Sequence, residues 1–200
     1  MNRFSILAVS FALLAPMAAA QQDVSFSGHV KDGKGVCYYC PGFDFVLDNT
    51  HTSLTSSTIN LTPYVEQYVT GVGHWNGSTT APQIDVTSIQ IVVQPFSIGG
   101  NATIGHQIKF TTLGTPGDTA FILVAGNDGF ANVPGYGVMF LATNSVLVLA
   151  QGTIGGTGST EIKIDLPDDP SLVGLRVFGQ AARVGPTSHS LTNSDLKVIG

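Results

Sequence analysis

The run YVTGVGHW (68–75), with QIDVTSIQIVV (83–93) after it, decides how this chain folds. Val69, Gly71, Gly73 and Trp75 alternate with Thr70, Val72 and His74, a period of two that suits a half-buried strand and no helix. The second run has the same alternation but changes phase between Val86 and Ile89, which predicts a β-bulge. Working backwards, VSFSGHV (24–30) places Val24, Phe26 and Val30 on one face, FDFVL (43–47) places Phe43, Phe45 and Leu47, and STINL (57–61) places Ile59 and Leu61. Between the third and fourth of these strands, TPYVEQ (62–67) predicts one helical turn with Thr62 as cap and Pro63 at its first position. No window of a dozen residues shows a helical stripe, so the reading is all-β.

Five strands in about 70 residues, with a short helical turn between the third and fourth, is the order of an OB-like five-stranded barrel, here residues 21–94. LTPYVEQYVTGVGHW (61–75) followed by IDVTSIQIV (84–92) also resembles the closing half of small bacterial OB-fold domains. That resemblance implies a fold and no activity. After VQPFSIGGNATIG (93–105) glycine becomes denser. Strands are expected near HQIKFTTL, TAFILVAG, GVMFLAT, SVLVLAQ, TEIKIDL, LVGLRVFGQAARV and DLKVI, separated by turns such as GTPGD, GNDG and GGTGS. Seven or eight short strands over residues 95–200 point to a β-sandwich.

The tail LPDDPSLVGLRVFGQAARVGPTSHSLTNSDLKVIG (166–200) resembles the closing segment of a β-rich domain that recurs, often at the C-terminus, in exported proteins of some aquatic bacteria. Leu166, Pro167, Leu172, Gly174, Gln180, Ala181, Leu191, Thr192 and Asn193 match its pattern. The resemblance implies a fold and an exported context, and brings no catalytic residues with it. Those domains usually follow large extracellular modules, whereas here a small barrel precedes.

The N-terminus agrees with export. MNRFSILAVSFALLAPMAAA (1–20) has a positive charge at Arg3, an apolar run from Phe4 to Leu14 and small residues at Ala18 and Ala20, the pattern of a cleaved signal peptide. The run is too short to span a bilayer, and no later stretch reaches about 18 consecutive apolar residues. The expected location is secreted, periplasmic or cell-surface, with no membrane insertion after cleavage.

Charged residues make up 10% of the chain and the formal net charge is −5, with Ser, Thr, Asn and Gly taking the usual place of charge. Such a surface lacks the basic stripe that nucleic acid needs. In the barrel, Lys31 and Lys34 stand against six acids, which disfavours oligonucleotides and leaves glycans as the ligand class for an OB face.

The most reaction-like feature is the pair Cys37 and Cys40 in GVCYYCPGF (35–43). Haem attachment needs His after the second cysteine, and Pro41 is there. Zinc needs two more ligands, with no second C-x-x-C or nearby H-x-x-x-H. A redox cysteine sits at a helix N-terminus, whereas Pro41-Gly42 leads into a strand. In an oxidising compartment the expectation is a local disulfide. The histidines (His29, His51, His74, His106, His189) are scattered, without a G-x-S-x-G elbow or H-E-x-x-H. Asp168 and Asp169, between two prolines, offer oxygen ligands for calcium, with Asp165 or Asp128 as helpers, yet read first as turn chemistry. No metal, cofactor or catalytic residue is assigned.

Trp75, Tyr39 and Tyr68 are the candidate ligand-binding rings. The resulting expectation is an exported, non-enzymatic binding or assembly protein of the cell envelope or extracellular matrix, with extracellular polysaccharide or other envelope proteins as partners. The alternative is a secreted hydrolase whose residues assemble only in the fold.

Overall fold

The computed structural model describes residues 22–33 and 44–200. Cys37, Cys40, Tyr38, Tyr39 and the signal segment lie outside the described residues.

Strands β1 (Gln22–Asp32), β2 (Phe45–Leu47), β3 (Ser53–Thr55), β4 (Tyr68–Trp75) and β5 (Gln83–Ile91) close a barrel in the order β1-β2-β3-β5-β4. Every pairing is antiparallel except β3 with β5, which is parallel. This is the OB-like barrel expected from the alternation. The inward residues Val24, Phe26, Val30, Leu47, Leu54, Val69, Ile84 and Val86 are all buried. Gly71 is required where β4 crosses β1 and β5: a Cβ there would sit 2.5 Å from the Ser88 carbonyl and 2.7 Å from the Phe26 ring. The bulge falls where the phase change put it. Val72 pairs with Ser88 and Gly73 with Val86, so Thr87 is the extra residue, and its hydroxyl donates to the Val72 carbonyl at 3.2 Å.

Two local expectations are corrected. STINL is not a strand; the third strand is Ser53–Thr55 instead. The Ser56 hydroxyl accepts from the Ile59 amide at 3.0 Å and donates to the Val86 carbonyl at 2.7 Å, folding 56–59 into a turn. Ile59 and Leu61 still pack on the barrel core, but from a loop. The helical turn is a 3₁₀ turn over Thr62–Tyr64, with Leu61 at the cap position and no side-chain cap. Thr62 is therefore inside the turn, because buried Leu61 fixes where the chain enters it.

The rest is a β-sandwich. Its two sheets have the orders β11-β8-β13-β14 and β12-β7-β6, from β6 (Phe96–Gly100), β7 (Gln107–Leu113), β8 (Thr119–Ala125), β11 (Leu147–Thr153), β12 (Ser159–Asp165), β13 (Arg176–Val184) and β14 (His189–Val198). Phe96, Ile98, Ile108 and Phe110 from one sheet meet Ile122 and Ala181 from the other. A separate hairpin, β9 (Asp128–Val133) with β10 (Gly137–Leu141), leaves the sandwich and lies on the barrel. Its Phe130, Val138 and Phe140 belong to the same buried cluster as Val24, Phe26 and Ile84. Phe130 stacks obliquely on Trp75 at 4.8 Å and meets Phe140 edge-on at 6.2 Å. The barrel core is thus completed from the later half of the chain.

The residues behind the tail resemblance hold this arrangement by standing in for backbone. The fully buried Gln180 accepts from the Phe140 amide at 2.9 Å and donates to the Val138 carbonyl at 3.0 Å and the Thr192 carbonyl at 2.7 Å. Its side-chain amide pairs with β10 as a neighbouring strand would. Asn193 does the same for β6, accepting from the Phe96 amide and donating to the Phe96 carbonyl, both at 2.9 Å. Thr192 fills the register shift between β13 and β14, accepting from the Ala181 amide at 2.9 Å. Buried strand edges need partners, and these side chains supply them.

Candidate functional site

Of the sequence-selected rings, Trp75 ends β4 but does not stand free. It is half-buried, packs against the barrel core, leans on Phe130, and its indole N–H donates to the Ser78 carbonyl at 2.9 Å. The hairpin that covers this end comes from residues 128–141, a long-range contact that strand-by-strand reading does not see.

Tyr68 sits at the opposite end of β4, paired in register with His29 of β1. The two rings stack at 4.5 Å with 24° between their planes. His29 points outward from the barrel, with Asp48 3.4 Å from Nδ1 and Glu66 3.8 Å from Nε2. Glu66 reaches it from a left-handed backbone position, φ 61°, its amide donating to the Val30 carbonyl at 2.8 Å. Lys31 Nζ donates to Glu66 at 2.6 Å. That hydrogen bond holds the Glu66 carboxyl below, and the Lys31 ammonium above, their ordinary values. Burial, followed by the nearby carboxylates of Asp195 and Asp48, pushes the Tyr68 phenol up, so it stays a neutral donor. The group is a stacked ring pair rimmed by hydrogen-bonding side chains.

His74 pairs with Asp23 at 2.6 Å, and His51 pairs with Asp128. Asp169 caps the 3₁₀ turn Pro170–Leu172 by accepting from the Ser171 amide at 2.9 Å, which lowers its pKa. Asp165 accepts from Gln107 at 2.8 Å. Among the described residues no three His, Cys, Asp or Glu side chains are grouped to hold a metal ion.

The feature that sequence reading missed is an edge. Among the described residues the sandwich's two sheets have four edge strands, β11, β14, β12 and β6. The free side of β6 is occupied by Asn193 and Asp195, the latter accepting from the Ile98 amide at 2.8 Å. β14 lies against β1 and β6. β12 carries Glu161, Lys163 and Asp165. These are the usual ways to blunt an edge. β11, LVLAQGT, has no charge and no proline, and Leu147, Val148 and Leu149 are 67%, 64% and 41% exposed. A register shift between Val148 and Ala150 against β8 makes Leu149 a bulge residue, breaking the alternation so that three consecutive apolar side chains reach solvent. The signal was available in SVLVLAQ, an uninterrupted apolar run with nothing to fill its second face, but only topology shows which strand lies outermost.

No protein-family model and no curated protein matches the chain.

Proposed function

We propose that this is an exported, non-enzymatic assembly protein of the cell envelope or extracellular matrix, which joins a neighbouring polypeptide by strand addition at β11. The observation that carries the reading is the uncharged edge strand β11, whose Leu147, Val148 and Leu149 face solvent while its later residues approach β12, beside three edges that are charged or covered. Main-chain pairing along such an edge supplies affinity, and the side chains beside it supply selectivity. The simplest partner is a second copy of the chain. Export rests on the signal-like residues 1–20, and intact-mass measurement on secreted protein would show their removal. Sedimentation velocity on the exported protein over a range of concentrations tests the assembly reading. Wild type should self-associate and Val148→Lys should not. A wild type that remains monomeric and gains no protection of its β11 amides on addition of envelope extract would overturn it.

A glycan-binding role is the second reading, favoured by the stacked pair Tyr68–His29. Tyr68→Ala should then abolish retention on polysaccharide while leaving self-association intact.

A further inference from the structure

Where the barrel meets the sandwich there is a cleft of about 300 Å³, with Ser25 and Ser27 of β1 on one wall and Arg183, Ser190, His189 and Tyr136 on the other. Arg183 spends two of its N–H groups inside the protein, Nε donating to Ser190 Oγ at 3.0 Å and Nη1 to the Leu113 carbonyl at 3.1 Å. A guanidinium has five N–H donors, and the rest, the whole of Nη2 included, meet no protein acceptor among the described residues. No carboxylate among the described residues forms an ion pair with it, and none lines the cleft. The guanidinium charge is therefore offset only at a distance, by Asp118. Burial pushes the Arg183 pKa down, only partly opposed by Asp118, so an anion arriving here would recover solvation that folding removed.

Two further features specify the anion's carrier. On the barrel wall Ser25 is exposed and lines the cleft, so its hydroxyl is within reach of a ligand, whereas the unpaired Ser27 hydroxyl behind it is shielded from solvent. At the mouth, the rings of Tyr136 and His189 stack at 5.2 Å and 22°, with His189 exposed. An arginine fork recognises a carboxylate in two-point fashion, hydroxyls pair with hydroxyls, and an aromatic face covers the apolar face of a pyranose. The volume is at the lower end for small-molecule sites, enough for one sugar ring.

We propose that the cleft between barrel and sandwich is a binding site for a carboxylate-bearing sugar, a uronic acid residue, read by Arg183. This site is separate from the β11 edge and from the Tyr68–His29 pair, and stands whether or not either of those acts as proposed.

Calorimetric titration of the full exported chain with methyl galacturonide, methyl galactoside, acetate and sulfate tests it. The uronide should bind, with the neutral glycoside, acetate and sulfate each at least about tenfold weaker. Arg183→Gln should weaken the uronide by about tenfold or more, the loss expected for a charge-assisted hydrogen bond. Arg183→Lys, which keeps the charge but loses the fork, should weaken it too, and so should His189→Ala, whose exposed ring can be removed without disturbing the fold. Should Arg183→Gln fail to fold, the other two variants decide. Equal binding of acetate or sulfate would reduce the site to a general anion pocket and overturn the sugar assignment. Equal binding of the neutral glycoside, or no binding of the uronide at millimolar concentration, would overturn the proposal altogether.

Discussion

Replacing Gln180 by leucine keeps its volume and removes its hydrogen bonds, which isolates what the side chain does. Three backbone groups lose their partner at once: the Phe140 amide and the carbonyls of Val138 and Thr192. Gln180 is 0% exposed, so water does not replace it. Each buried group left unpaired costs about 1–3 kcal/mol. Allowing for some relaxation, the substitution should cost about 3–6 kcal/mol, a large part of the 5–15 kcal/mol that holds a typical domain. The damage should appear in the barrel, because β10 carries Val138 and Phe140 into the barrel core. Urea unfolding followed by fluorescence of Trp75, the single tryptophan, which rests on Phe130, would read it directly. A cost under about 1 kcal/mol, or a Phe140 amide that exchanges no faster, would refute the idea that Gln180 acts as a surrogate strand. Gln180→Glu adds a sign test. An ionised carboxylate facing two carbonyls is unfavourable, so the folded-state pKa of the new group would be raised. The variant should be most stable below the ordinary glutamate value of about 4.3 and lose stability as pH rises above it.

Trp75→Ala should cost about 3 kcal/mol in a thermal or urea melt, because the ring packs on Phe130 and the barrel core; a loss under about 1 kcal/mol would return Trp75 to the surface role read from sequence. Gly71→Ala should destabilise by about 1–3 kcal/mol, since the added methyl meets the Ser88 carbonyl at 2.5 Å and backbone cannot step aside; an unchanged urea midpoint would contradict that packing. Burial, against two opposing backbone hydrogen bonds, raises the Asp195 pKa above the ordinary aspartate value. The folded state then holds that proton more tightly than the unfolded chain, and the residue's contribution to stability falls as pH rises from about 3.9 through the folded value. Urea midpoints from pH 4 to 7 should therefore move in favour of Asp195→Asn relative to wild type as pH rises, and a pH-independent difference would refute the assignment.

The barrel was legible because its strands obey one rule. Val24, Phe26, Val30, Val69 and Val86 alternate cleanly, and even the bulge at Thr87 left a phase change in QIDVTSIQIVV. Strand β3 was not, because Leu61 is buried and Ile59 half-buried from a loop, which imitates a strand's pattern. β6 and β9 also escaped notice. FSIGG is glycine-rich and lies between β7 and the Asn193 and Asp195 side chains of β14, and DGFANV begins in residues that read as a turn. The candidate surfaces were less legible for a related reason. Tyr68 could be picked as an aromatic, but its stacking on His29 depends on the β1–β4 register. Arg183, Ser27, Tyr136 and His189 are dispersed over more than 150 residues of sequence and meet only where the barrel docks on the sandwich. The exposure of β11 follows from sheet order, which no window of residues encodes.

Hydrogen exchange along β11 tests the central claim most directly. In dilute wild-type protein the outward amides within Leu147–Thr153 should exchange quickly, as expected of an open edge. At concentrations where the protein self-associates they should become protected, while β12 and the Tyr68–His29 face stay unchanged, and Val148→Lys should abolish the effect. Protection that appears elsewhere while β11 remains open would contradict assembly by strand addition at this edge.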